Sequence, residues 1–152
     1  MANTQAMCTS FKADILNGLH AFGPSVIRAA TTADAFYAAL YLTTASVGAA
    51  TTAYSATNEV SGTNYTAGGV AVTNATPPSN SGTSAIWTPS ASIVYTTVTL
   101  STAFDCVLIY NNTAAGKNAV SSHTFGAQTI TAGTLTLTMP ANAVGTALLQ
   151  IS

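Results

Sequence analysis

The chain has 152 residues and a formal net charge of −1, and only 5% of its residues are Asp, Glu, Lys or Arg. An ordinary soluble domain carries about 25% charged residues. Three basic residues are too few to neutralise the several phosphates of a nucleic-acid interface, so direct binding to DNA or RNA is not expected. No apolar run approaches the roughly 20 residues of a transmembrane helix, so membrane insertion is not expected either.

Residues 1–25 are predicted to form an N-terminal arm with a short helix. Apolar residues recur at helical spacing over 10–22, and a Gly-Pro pair follows the last turn. Such spacing places Phe11, Ile15 and Leu19 on one face. Because that face is apolar and the arm is separate from the predicted β region, these three side chains are candidate contacts with a partner.

Residues 26–152 are predicted to form a single antiparallel β-sandwich, jelly-roll-like, because short alternating segments are separated by turn signals. A helix over 33–41 is the alternative for the first segment, but the flanking Thr-Thr pairs favour a strand. A loop is predicted at 74–84 and turns at 111–116 and 131–133. The predicted strands are 36–42, 70–73, 84–88 continuing past Pro89 into 93–100, 104–110, 119–125, 129–131, 134–139 and 147–151.

The titratable residues form no catalytic or metal-binding pattern. The four acidic residues and two histidines are scattered, and no Gly-x-Ser-x-Gly motif is present. We therefore expect no enzyme activity, no cofactor and no metal. Cys8 and Cys106 lie far apart in sequence and are expected to be free thiols, with Cys106 buried inside a strand.

Glu59 is the only charged residue in the long polar stretch between residues 43 and 69. A carboxylate in such a neutral setting is expected to accept hydrogen bonds from backbone N–H groups or from an Arg and to pin the loop, and contact with a partner is the second possibility. The adjacent glycines Gly68 and Gly69 predict a turn that requires positive φ.

Five aromatic residues allow two interpretations. They could form a sugar-binding platform on one face of the sandwich, but aromatic side chains on alternating strands are more often part of the core. We therefore predict a core role. The residues are Tyr54, Tyr65, Trp87, Tyr95 and Tyr110.

Two blocks of the sequence resemble small structural proteins of tailed bacteriophages. They are residues 51–69 (TTAYSATNEVSGTNYTAGG) and 106–117 (CVLIYNNTAAGK). Both follow, in the same order as in those proteins, an opening Ser-Phe-Lys-x-x-Ile-Leu-x-Gly-x-His motif at 10–20 and Ala-Leu-Tyr at 39–41. Proteins of this kind are virion components, and some are head decoration (cement) proteins on the outside of the capsid.

The resemblance implies a virion protein that binds across major capsid subunits, together with other copies of itself as a dimer or trimer. Its location would be the outer surface of the capsid. The first residues lack the basic and apolar regions of a secretory signal, which predicts synthesis in the host cytoplasm. The alternatives are a tail, neck or fibre component and, from a different class, a carbohydrate-binding adhesion module.

Overall fold

The regular structure of the chain is two antiparallel β-sheets, as seen in a computed structural model that describes residues 2–8, 10, 11, 15, 19, 20, 22 and 32–152. This confirms the predicted mainly-β class with antiparallel sheets, whereas the jelly-roll form stays a prediction. The strands of the described residues are β1 (Ala6–Met7), β2 (Phe36–Leu42), β3 (Val70–Val72), β4 (Ser79–Ser81), β5 (Ser84–Trp87), β6 (Ile93–Asn111), β7 (Ala119–Leu137) and β8 (Leu149–Ile151).

The two sheets share one apolar core. The larger sheet has the strand order β1-β7-β6-β2-β3 and the smaller sheet the order β4-β5-β8. Trp87 of β5 and Leu149 of β8 belong to the same buried cluster as Phe36 of β2 and Leu108 of β6. Burial of these side chains removes apolar surface from water at about 25 cal/mol per Å². The small sheet is thereby held against the large one, an arrangement compatible with a β-sandwich.

Strand β2 has the bounds predicted for it and pairs antiparallel with both β3 and β6. The alternative, a helix over 33–41, is therefore excluded. Its residues are mostly buried on both faces of the sheet, which explains the continuous run of aromatic and small apolar residues. The predicted loop at 74–84 contains one short strand, β4, which pairs with β5 across Gly82 and Thr83.

The long hairpin of β6 and β7 corrects the predicted strand boundaries. Each strand has 19 residues, where the sequence predicted separate strands with breaks near 101–103 and 126–128 and a turn at 131–133. The register instead shifts within a continuous pair, and Thr97 and Ala132 adopt φ of 51° and 47° at the shifts. The residues that resemble a turn in sequence are β-bulges, which absorb extra residues without ending the strand.

The described part of the N-terminal region packs against the large sheet. Strand β1 pairs with β7 at the sheet edge, and the Asn3 side chain donates to the Leu42 carbonyl (3.1 Å) and the Asp105 carboxylate (2.6 Å). Of the predicted helix, Ser10, Phe11 and Ile15 have helical backbone and Leu19, His20 and Phe22 do not; its other residues, and the predicted boundary at residue 25, lie outside the described residues. No helix among the described residues is long and apolar enough to cross a membrane.

Both cysteines are free and buried. This confirms the structural thiol predicted for Cys106. Burial raises the pKa of Cys8 to about 11 and that of Cys106 to about 12. Both side chains are therefore protonated thiols at neutral pH and pack as small apolar groups.

Gly69 generates the first prediction, because it combines positive φ with a close backbone approach. Its φ is 78°, and an added Cβ would overlap the Ala38 carbonyl of β2. Gly82 also has positive φ, 60°, but an added Cβ would have open space. Gly69→Ala should therefore destabilise the fold by about 3 kcal/mol or more. Gly82→Ala, the matched control, should cost only about 1 kcal/mol. Urea unfolding of both variants checks this, and equal losses would contradict it.

Candidate functional site

The Glu59 carboxylate holds three hydrogen-bond donors at the base of the long polar loop. Oε2 accepts from the Tyr54 hydroxyl (2.7 Å), and Oε1 accepts from the Tyr65 hydroxyl and the Gly68 backbone N–H (both 2.7 Å). Glu59 itself forms an isolated antiparallel bridge with Tyr41 of β2. Hydrogen bonds to a charged acceptor are about twice as strong as neutral ones. The loop is thereby closed on itself and fixed to the sheet.

Two further tyrosines attach the large sheet to the same loop, and a third joins two strands of that sheet. The hydroxyl of Tyr41 donates to the Ser55 carbonyl (2.6 Å), and that of Tyr110 donates to the Gly68 carbonyl (2.9 Å). Tyr95 donates from β6 to the Ala38 carbonyl of β2 (2.8 Å). Burial raises the pKa of each tyrosine, that of Tyr110 to about 12. The hydroxyls therefore remain neutral donors throughout the physiological range.

Ring stacking joins the loop to the end of the long hairpin. The rings of Tyr54 and Tyr110 are stacked with centroids 4.7 Å apart, and the Lys117 ammonium lies 5.2 Å from the Tyr54 ring centre. The Tyr54 backbone N–H also donates to the Lys117 carbonyl (2.9 Å). The two sequence blocks 51–69 and 106–117 therefore form one contiguous structural unit.

Glu59 pins the loop, as predicted, and its contact with a partner stays a prediction. The core role is confirmed for Trp87, Tyr95 and Tyr110, each at most 2% exposed. Tyr54 and Tyr65 are partly buried against the same core. The three fully packed aromatic rings are thus not available as a sugar-binding platform.

Two of the predicted arm contacts meet in an apolar cleft of about 200 Å³ between the N-terminal region and the small sheet. Phe11 and Ile15 line it, whereas Leu19 is partly buried outside the lining. Phe11 is 1% exposed and its ring packs in the chain's own core, and its contact with a partner stays a prediction. Phe22 stacks on Phe36 at 4.5 Å and joins this cleft to the large sheet.

A second apolar cleft of about 520 Å³ lies on one face of the β6–β7 hairpin. Sequence reasoning missed it, although the alternation over 134–139 correctly indicates that Leu135, Leu137 and Met139 share a face. His123 lies in this lining and its Nε2 is 3.0 Å from the Ser121 hydroxyl. Burial lowers the pKa of His123 to about 4, so the ring is neutral at pH 7. The remaining lining residues are Ile93, Val107, Ile109, Phe125, Gln128, Thr136, Thr138, Pro140 and Leu148.

Neither cleft contains a metal-binding set: no group of three His, Cys, Asp or Glu side chains occurs within the part of the chain that the structure describes. Both linings are dominated by apolar side chains, which suits packing against another apolar surface. Comparison with protein-family models, with curated proteins and with solved structures found no match.

The Glu59 contacts generate the second prediction. Glu59→Ala leaves two tyrosine hydroxyls and one backbone N–H without their acceptor, so the free energy of unfolding should fall by about 3 kcal/mol or more. Tyr54→Phe removes one of these bonds and should cost about half as much. Chemical denaturation monitored by tyrosine fluorescence measures both. A loss below about 1 kcal/mol for Glu59→Ala would show that the loop does not depend on the carboxylate.

Burial of His123 predicts that the free energy of unfolding depends on pH. The unfolded ring titrates near 6.5 and the folded ring near 4, so the unfolded state binds more protons between these values. The stability that neutral His123 contributes is present above pH 6.5 and is lost as the pH falls toward 4. The loss amounts to about 3 kcal/mol.

The control is His123→Gln, which cannot titrate. Its unfolding free energy should fall less steeply than that of the natural chain between pH 6.5 and 4. Parallel urea titrations at a series of pH values compare the two slopes. Identical slopes would mean that His123 is as accessible to protons in the folded as in the unfolded chain.

Proposed function

We propose that this chain is a structural component of a tailed-bacteriophage virion, and that it decorates the outer surface of the head by binding across major capsid subunits. The observation that carries the proposal is the neutral surface. With 5% charged residues, the protein exposes mainly Thr, Ser, Asn and Ala, including Thr129, Thr131, Thr134 and Thr136 along β7. Charge normally keeps a protein soluble and monomeric by repulsion, so a surface without it suits continuous contact with neighbours.

The rigid framework also supports a mechanical role. The loop at 51–69 is held by Glu59, by tyrosine hydroxyls and by backbone bonds, for example from Ala119 N–H to the Thr52 carbonyl (2.9 Å). A decoration protein must transmit load between the subunits it bridges without changing shape. Its single contacts can be weak, because many copies on a symmetric shell act together.

The resemblance to phage structural proteins supports the same proposal through the fold. The two blocks that carry it, 51–69 and 106–117, are the loop and the hairpin end that Tyr54 and Tyr110 join. The blocks that resemble those proteins thus belong to the internal framework. The proposed binding surface consists of the neutral exposed residues. The burial of Trp87, Tyr95 and Tyr110 makes the carbohydrate-binding alternative the weaker candidate.

The test is co-sedimentation of the purified protein with phage heads assembled without it, at about 50 mM and about 500 mM salt. Because the contacts involve few charges, the bound amount should change less than about twofold. A basic protein of similar size is the control, and its nonspecific binding should fall with salt. Binding that disappears at high salt, or no binding at all, would contradict the proposal.

Quantitative mass spectrometry of purified virions then distinguishes positions in the particle. A decoration protein should be present at a copy number comparable to that of the major capsid protein. A copy number matching one ring of subunits would instead indicate the neck or tail and would overturn the decoration assignment.

A further inference from the structure

Within the part of the chain that the structure describes, the outer edge of β7 has no partner strand over most of its length. The inner edge of β7 pairs with β6 from Ala119 to Leu137. On the outer side, β1 pairs only with Ser121 and Ser122, and the Cys8 N–H donates to the Val120 carbonyl (3.1 Å). Among the described residues, no strand pairs with the outer side of residues 123–137. Their outward N–H and C=O groups form a template for another strand.

Residues 135–137 at the end of this edge lack the features that normally prevent strand addition. Natural edge strands are protected by Lys, Pro, inward charges or bulges. Between residues 119 and 137 there is no charged residue and no proline, and the one titratable side chain, His123, is neutral at pH 7. Bulges do interrupt β7, but they all lie before its last three residues. Leu135, Thr136 and Leu137 pair without a shift with Tyr95, Val94 and Ile93.

The last segment of β7 is also complementary to itself. Thr134 and Thr136 of β7 and Thr138 just after it are exposed, whereas Leu135 is buried and Leu137 half-buried; both leucines line the 520 Å³ cleft, at whose rim Thr136 and Thr138 also lie. When two such segments run antiparallel, Thr faces Thr on one face and Leu adjoins Leu on the other. Cross-strand pairs of this kind stabilise a sheet, and no like charges oppose one another.

We propose that residues 134–138, the end of β7 and the residue that follows it, pair antiparallel along their outer edge with the same segment of a second copy of this chain, which extends the large sheet across a two-fold axis. The pairing also continues the apolar cleft, lined by Leu135 and Leu137, from one copy into the next. A symmetric interface of this type uses the same surface on both partners. The inference rests on β7 alone and goes beyond the proposed function.

The experiment measures self-association of the purified full-length chain by sedimentation velocity over a range of concentrations. The natural chain should form dimers. Thr136→Lys places two ammonium groups opposite each other and should weaken dimerisation at least about tenfold. Thr83→Lys adds the same charge at an exposed residue in the β4–β5 turn and should leave dimerisation unchanged. Thermal unfolding of both variants verifies that they fold equally well.

A cross-linking variant gives an independent readout. Thr136→Cys should be joined to its counterpart by a short bifunctional thiol reagent, because opposed Cβ atoms in antiparallel strands lie about 5 Å apart. Cys8 and Cys106 are buried and should not react. Thr83→Cys should remain uncross-linked.

Three results would overturn this proposal. They are a natural chain that stays monomeric throughout, dimers that Thr136→Lys does not weaken, and a monomer whose binding to phage heads is lost in Thr136→Lys. In the last case the β7 edge would pair with a capsid strand instead. Since sedimentation uses the protein alone, dimers that fail to bind heads would refute the proposed function and leave the β7 interface standing.

Discussion

The fold depends on one carboxylate that collects three hydrogen-bond donors from its own loop. Without Glu59, the hydroxyls of Tyr54 and Tyr65 and the N–H of Gly68 would lose their common acceptor. The loop at 43–69 has little regular structure, so its conformational entropy must be offset by such fixed contacts. Once it is fixed, it covers the tyrosines of β6 and gives Gly69 its close approach to β2. The site is thus a structural support for the loop.

The rest of the molecule also contains few charged groups. Among the described residues, amide side chains serve as donors to carboxylates: Asn3 joins the N-terminal region to Asp105 of β6, and Asn111 donates to the buried Asp34 carboxylate at 2.8 Å. Neutral groups inside a protein stabilise it when they are fully bonded. Neutral groups outside it offer no repulsion to neighbours. The low charge content therefore accounts both for the hydrogen-bonded interior and for an outer surface that suits assembly.

Local sequence patterns predicted the elements that are buried on both faces and those whose contacts lie close in sequence. Strand β2 was predictable because both of its faces are buried, and the pinning role of Glu59 because all three donors lie within nine residues of it. The breaks predicted in β6 and β7 were wrong because a bulge and a turn use the same residue types, as at Ala132. The buried position of Phe11 and the cleft around Leu135 arise from contacts between distant segments, which periodicity does not encode.

The loop at 51–69 should be rigid in the isolated chain, and the outer edge of β7, whose inner edge is already paired with β6, should gain a strand partner only on assembly. Hydrogen exchange measured by mass spectrometry, on the dilute protein and on the protein bound to phage heads, tests it directly. Peptides covering 51–69 should exchange slowly in both states, and those covering 123–137 should become more protected only in the bound state. Rapid exchange of 51–69 in the free protein, or unchanged exchange of 123–137 on binding, would contradict the account.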